Sequence, residues 1–443
     1  MLGSFVLLWI CICLLLFFFL KFNRPQNFPP GPQPIPIFGN LLHLSLGNPM
    51  KDLEKEALVT RAADFAGRPQ DLMVNHVTEG KGVILMDYGS SWKEHRRFAL
   101  MTLKNFGLGK QSMEERILGE ISHIIAPLAK SVGKSMNPQV LFHNAASNII
   151  CLVLFGSRYD YNDEFLKTFV KLYTENAKIA NGPWAMKAFQ NAICCKQMSL
   201  GLVTQHKETR IPGEPRDFID CYLDELEKRG DDGSSFSEAQ LIMYILDLHF
   251  AGTDTTSNTL LTAFLYLMTH PEIQGLFALF SNADIEKVSF YYYSCSSCRL
   301  FLKKKERCQQ EIDTVLEGKE HASFEDRHRM PYTQAGTLII PNLTSVLSEE
   351  GQWKYPHDFN PLNFLNEQGE FTKPEAFMPF SAGPRMCLGE GLARMELFLI
   401  MVTLLRRFKF VWPEDAGEPD YTPVFGVTLS PKPYRLGVRL RGN

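Results

Sequence analysis

Pro379-Phe380-Ser381-Ala382-Gly383-Pro384-Arg385-Met386-Cys387-Leu388-Gly389 is the stretch on which the fold turns. A single cysteine stands between two glycines, just ahead of an apolar run from Leu388 to about Phe408 that has helical character. Gly383 and Gly389 let the backbone take φ > 0 or come close to a flat ligand, and Pro384 stiffens the loop. A helix beginning here places the positive end of its dipole at the thiol, which favours the thiolate, a ligand able to hold a metal. Taken alone, a lone cysteine in a glycine turn is more commonly a small buried hydrophobe. The loop gains meaning only from its company in the chain.

That company begins at Ser237-Glu238-Ala239-Gln240, a capping box ahead of a long apolar run that ends at His270-Pro271. As one helix the run is roughly 50 Å long, enough to cross a whole domain. Asp247, His249 and Asp254 within it argue against a membrane span, because charge in lipid is costly. At its centre lies Ala251-Gly252-Thr253-Asp254-Thr255-Thr256. Glycine weakens a helix and threonine can bond back to the preceding turn, so a local bend or widened turn is expected there. Earlier in the chain, Ser91-Trp92-Lys93-Glu94-His95-Arg96 starts an amphipathic helix with Trp92 and Arg96 on one face.

Together these elements resemble the cytochrome P450 superfamily, and most closely the animal microsomal family 2 members. The cysteine loop is similar to its haem-binding pattern F-x-x-G-x-R-x-C-x-G at every specified position, and the central hexamer to [AG]-G-x-[DE]-T-[TS]. The resemblance implies a mainly α fold with small β-sheets. It implies Cys387 as the axial thiolate of haem b iron, Arg385 paired with a haem propionate, Phe380 beside the ring, and Gly383 and Gly389 permitting close approach. By the same resemblance Trp92 and Arg96 donate to propionates, and Ala251 and Gly252 shape a groove for dioxygen. Thr255 would hydrogen-bond dioxygen and Asp254 would relay protons. The implied activity is insertion of one oxygen atom of O2 into lipophilic substrates: xenobiotics, steroids, or fatty acids such as arachidonic acid. NADPH-cytochrome P450 reductase would supply the electrons, with cytochrome b5 as a further partner.

A chain of 443 residues with net charge −3 and 45% hydrophobic residues can bury a large core and has no basic excess for nucleic acid. Ten scattered cysteines show no disulfide framework and suit a body facing the cytosol. Residues 1–22 read as a retained N-terminal membrane anchor, with Lys21 and Arg24 on its cytosolic side, and 23–40 as a proline-rich linker. The body, 41–443, is then expected on the cytosolic face of the endoplasmic reticulum membrane. Residues 112–180 read as helices broken at Asn137-Pro138 and Gly156-Ser157, with no nameable chemistry and with Asn144, Ser147 and Asn148 as capping or packing groups.

The chain also departs from the family pattern. Segments are missing near 54–55, so that the first sheet is truncated, and near 186–187. The helix carrying an E-x-x-R pair is missing at 335–336, and Asn363 stands where its basic partner is expected. Residues 275–305 read as an insertion whose Cys295-x-x-Cys298 lacks a second ligand pair for zinc. A non-catalytic, haem-deficient variant is therefore a rival reading. A haem-thiolate isomerase is disfavoured by Asp254 and Thr255.

Overall fold

The computed structural model describes residues 55–60, 62–69, 74–106, 111–179, 185–230, 235–271, 274, 353–356, 358–364, 366–368 and 372–441. Outside them lie the expected anchor and linker, the first sheet before residue 55, the 275–305 stretch with Cys295 and Cys298, and the junction at 335–336. The chain divides into two units, Met1–Thr60 with Arg299–Ile339, and Arg61–Cys298 with Ile340–Asn443. Of the first, only a short π-helical turn at Glu56–Thr60 and its flanking residue are described. Everything below concerns the second.

Its described helices are α1 (Ala62–Phe65), α2 (Asn75–Thr78), α3 (Ser90–Asn105), α4 (Gln111–Lys130), α5 (Gln139–Leu154), α6 (Glu164–Ile179), α7 (Ala185–Thr209), α8 (Phe218–Arg229), α9 (Glu238–Thr269) and α10 (Glu390–Arg407). The strands are β1 (Ser135–Met136), β2 (Phe408–Val411), β3 (Val424–Phe425), β4 (Leu429–Ser430) and β5 (Leu436–Leu440). The fold is mainly helical with small sheets, as the sequence implies. Helix α7 runs without a break through 186–187, where a missing loop is expected. Among the described residues no helix is long and apolar enough to cross a membrane.

The spine is α9. Ser237 caps it, its side chain accepting from the Gln240 amide at 3.2 Å. Only half of the expected capping box forms, because the Gln240 side chain turns away to satisfy the buried backbone of Gly82, donating to its oxygen at 2.9 Å and accepting from its nitrogen at 3.1 Å. The helix stops at Thr269, with His270 as C-cap ahead of Pro271.

Helix α5 is buried on almost every side and packs along α9. Gly252 makes this close approach possible, since a Cβ there would sit 3.0 Å from Ile150. Phe142 and Phe264 stack across the pair at 5.1 Å, and Phe410 from β2 meets Phe264 edge-on at 4.7 Å. Of the polar residues of α5 read as packing groups, Asn148 bonds both backbone groups of Tyr159 at 2.9 Å.

A three-stranded antiparallel sheet has β5 between β1 and β2, paired from Phe408↔Leu440 to Val411↔Gly437. The hairpin β3–β4 brings its turn against the end of α6. A Cβ on Gly426 would lie 2.0 Å from the Ala177 carbonyl, so only glycine fits, and the Val427 amide donates to that carbonyl at 2.6 Å. This contact sets Thr428 and Ser430 against the middle of α9.

Candidate functional site

Between Pro379 and Gly389 the cysteine loop is held by its own backbone. The Cys387 amide donates to the Phe380 carbonyl at 2.9 Å, Met386 to Gly383 at 3.1 Å, and Ser381 to Met378 at 3.0 Å. Gly383 takes φ +73°, the conformation that calls for glycine, while Ser381 at +62° does the same without one. Gly389 has an ordinary φ of −92° and serves as the N-cap of α10. Cys387 is exposed. Its thiol is nevertheless raised above the ordinary value, desolvation by the surrounding protein being the largest cause, with Glu390 adding to it and the Gly389 amide and Arg96 opposing. The helix end alone suggests the reverse direction; burial outweighs it here.

Arginines gather beside this loop. The Arg96 guanidinium, on α3, donates to the Met386 carbonyl, one residue from the cysteine. Arg385 donates to the carbonyls of Ala66 at 2.9 Å, Met86 at 2.8 Å and Val83 at 3.3 Å, and lies over the Trp92 ring at 4.1 Å. Desolvation first, then the positive charge of Arg68, brings Arg385 down to about 9, with Arg96 adding to the effect and Asp87 opposing it. A guanidinium so disfavoured in its charged form is a seat for an anion, and its planar fork suits a carboxylate. Trp92 is buried, and its indole N–H donates to the Val83 carbonyl at 3.0 Å. The structure thus brings together Trp92, Arg96, Arg385 and Cys387, residues far apart in the chain. Phe380 belongs to the same loop and has the Arg394 guanidinium over its ring at 5.1 Å.

The central hexamer lies about two turns along α9 from Asp247. Thr255 bonds back to the Ala251 carbonyl at 2.6 Å, as expected for a threonine in a helix. It is exposed, whereas Thr253, Asp254 and residues 256–261 are buried, so one hydroxyl faces out of an otherwise packed helix. Asp254 turns the other way. Its Oδ2 accepts from Asn258 at 3.1 Å and from the Thr428 hydroxyl, and its Oδ1 lies 3.8 Å from His143 Nε2. Gly252, expected to shape a dioxygen groove, meets Ile150 on the packed side.

Two further acids emerge only in three dimensions. Half-buried Asp247 accepts from the amides of Val83 at 2.6 Å and Ile84 at 2.9 Å, which pins to α9 the loop whose carbonyls hold Arg385 and Trp92. Burial pushes its carboxyl up to about 6 against those amides. Glu396, on α10, is buried with Oε2 unpartnered among the described residues, and burial raises it to about 8 despite a hydrogen bond from Thr256. It is therefore a neutral acid at pH 7. An acid raised on folding loses stability to its unfolded form as pH climbs from the ordinary 4.5 to about 8. Glu396→Gln should lie within about 1 kcal/mol of the parent near pH 5 and exceed it by roughly 5 kcal/mol at pH 9. Denaturant midpoints at the two pH values test this; a difference independent of pH would contradict it.

A largely helical unit with a thiol-bearing loop beneath an arginine shelf, and an Asp-Thr pair on its central helix, is the arrangement of a haem-thiolate protein. The model for the family Cytochrome P450 matches residues 50–275 and 334–438. Similar proteins include human cytochrome P450 2J2, 35% identical over 94% of this chain and 92% of its own length, and rat cytochrome P450 2F2, 34% identical over 99% of both. Rabbit cytochrome P450 2C3 is 36% identical over 97% of the chain and 98% of its own length. The chain belongs to the cytochrome P450 family. It is by that membership a monooxygenase, with haem bound through a cysteine thiolate and electrons from an NADPH-dependent reductase. The family match omits 276–333, and the alignment with the human relative runs to 497 positions against 443 residues, so gaps interrupt it.

Proposed function

We propose that this chain inserts oxygen into lipophilic small molecules, xenobiotics, steroids or fatty acids, with Cys387 as the haem ligand. What carries the assignment is contiguity: Arg96 touches the backbone of the cysteine loop, and Arg385 within that loop stacks on Trp92. The donor set fits haem, with a thiol for the metal and guanidinium forks for its carboxylates. Haem, when bound, supplies the redox chemistry. Arg96 and Arg385 hold and orient it, Thr255 offers a hydroxyl at the open face of α9, and Asp254 manages protons on the packed face. Cytochrome b5 is a candidate second electron donor. An anchor at residues 1–22 would place the body on the cytosolic face of the endoplasmic reticulum.

A second reading, a chain deficient in haem, is favoured by the break in the family match at 276–333. The buried Asn363, standing where the family pattern has a basic residue, exchanges two hydrogen bonds with the backbone of Tyr355, at 2.8 and 2.9 Å. The test is haem per polypeptide by pyridine haemochrome assay. The expected result is partial occupancy in the chain as it stands, rising towards one when 275–305 is deleted and an E-x-x-R helix is placed between Ala335 and Gly336. Full occupancy without repair would remove the second reading; no haem in either form would remove the first.

A further inference from the structure

His143 lies on α5, in a stretch of sequence that carries no recognisable chemistry, and is 2% exposed. Its Nδ1 faces the Gln139 carbonyl at 2.8 Å. A carbonyl can only accept, so Nδ1 carries a hydrogen and the neutral ring has a bare lone pair at Nε2. That Nε2 is buried, has no hydrogen-bond partner among the described residues, and lies 3.8 Å from Asp254 Oδ1, just beyond bonding reach. Two lone pairs in a dry interior do not face each other at this distance without cost; one proton between them turns the contact into an attraction.

Which partner holds the proton follows from the other oxygen. Asp254 Oδ2 already accepts from both Asn258 and Thr428, which leaves Oδ1 as the oxygen free to take a donor from the ring. A ring with a hydrogen on each nitrogen supplies that donor. Beside Asp254 is a cleft with room for about one water. The polar groups that line it are Asp254 and Asn258 from α9, Thr174 and Lys178 from α6, Thr428 and Ser430 from the β3–β4 hairpin, and Gln139 from the helix of His143.

We propose that His143 is a proton-holding and positioning residue for Asp254: it keeps the carboxylate aimed at the packed face, passes it a proton from Nε2 to Oδ1, and recovers one through the cleft. The bond broken is Nε2–H and the bond formed is Oδ1–H; the ring is left neutral with Nδ1–H, and no electrons move. This rests on the monooxygenase reading, since only a reaction consuming protons near Thr255 gives the store a use.

The first test needs no haem. In the full-length chain labelled with 15N-histidine, the His143 resonance, assigned by its loss in His143→Gln, should report a protonated Nε2 at neutral pH and a bare Nε2 in Asp254→Asn. A state of Nε2 that is the same in both chains would overturn the proposal. The second test is catalytic, per bound haem. His143→Gln should lower product formed per NADPH by about tenfold, in the range for loss of an orienting partner. Peroxide should rise and substrate KM stay unchanged, with His143→Asn as a second variant of similar effect. Parent-like coupling in both variants would overturn the relay. Failure of haem to bind at all would instead count against the monooxygenase reading, leaving the first test standing.

Discussion

Cys387→Ala should leave a folded chain with no red-shifted band in its reduced carbon-monoxide complex and no NADPH-supported product. The fold should tolerate the change because the loop is held by backbone: Cys387 contributes its amide to the Phe380 carbonyl, and alanine keeps that bond. The side chain is exposed, and substitutions at such sites change stability by about 0.5 kcal/mol or less. Thermal unfolding of parent and variant should therefore coincide while the haem signature disappears. Only the thiol is removed, and a thiolate ligand would be the group that tunes haem for oxygen chemistry. An intact band in the alanine variant would sink the assignment of Cys387, whatever the family membership.

The parts legible in the sequence were those whose chemistry is local. A serine cap at Ser237, a back-bonded Thr255 and a left-handed Gly383 each depend on a few neighbouring residues, and each is where the pattern put it. The arginines Arg96 and Arg385 were legible because they stand inside a motif. Their partners were not. Arg385 bonds Ala66 across 319 residues and Asp247 bonds Val83 across 164, and a side chain reaching a distant carbonyl or amide leaves no period in the sequence. Asp247 did leave one clue, since a carboxylate in an apolar helix must find donors somewhere. Glu396 offered the same clue and has one such donor, Thr256, with none for its other oxygen among the described residues. The ordinary bias of the thiol at a helix start was also a local inference, and the packed surroundings reversed it.

Thr255→Ala should cut product formation per bound haem by roughly 10²-fold, the order for one general-acid group, and divert reducing equivalents to hydrogen peroxide. The hydroxyl now donates to the Ala251 carbonyl at 2.6 Å, and its loss leaves that carbonyl with its helical partner, so the helix itself should be little changed. Thr255 is exposed between buried neighbours, which gives it the geometry to serve a ligand rather than the core. Asp254, adjacent in sequence, faces Thr428, Asn258 and His143 on the opposite, packed side. The two residues therefore cannot substitute for one another: one presents a hydroxyl on the exposed face of α9, the other a carboxyl group within the packed interior. Serine at 255 separates the roles of hydroxyl and methyl. Thr255→Ser should keep most of the coupling if the hydroxyl is what matters, and should fail like alanine if the threonine only fills space. NADPH consumption, peroxide and product measured together decide between these, and a Thr255→Ala variant as well coupled as the parent would remove the hydroxyl from the mechanism.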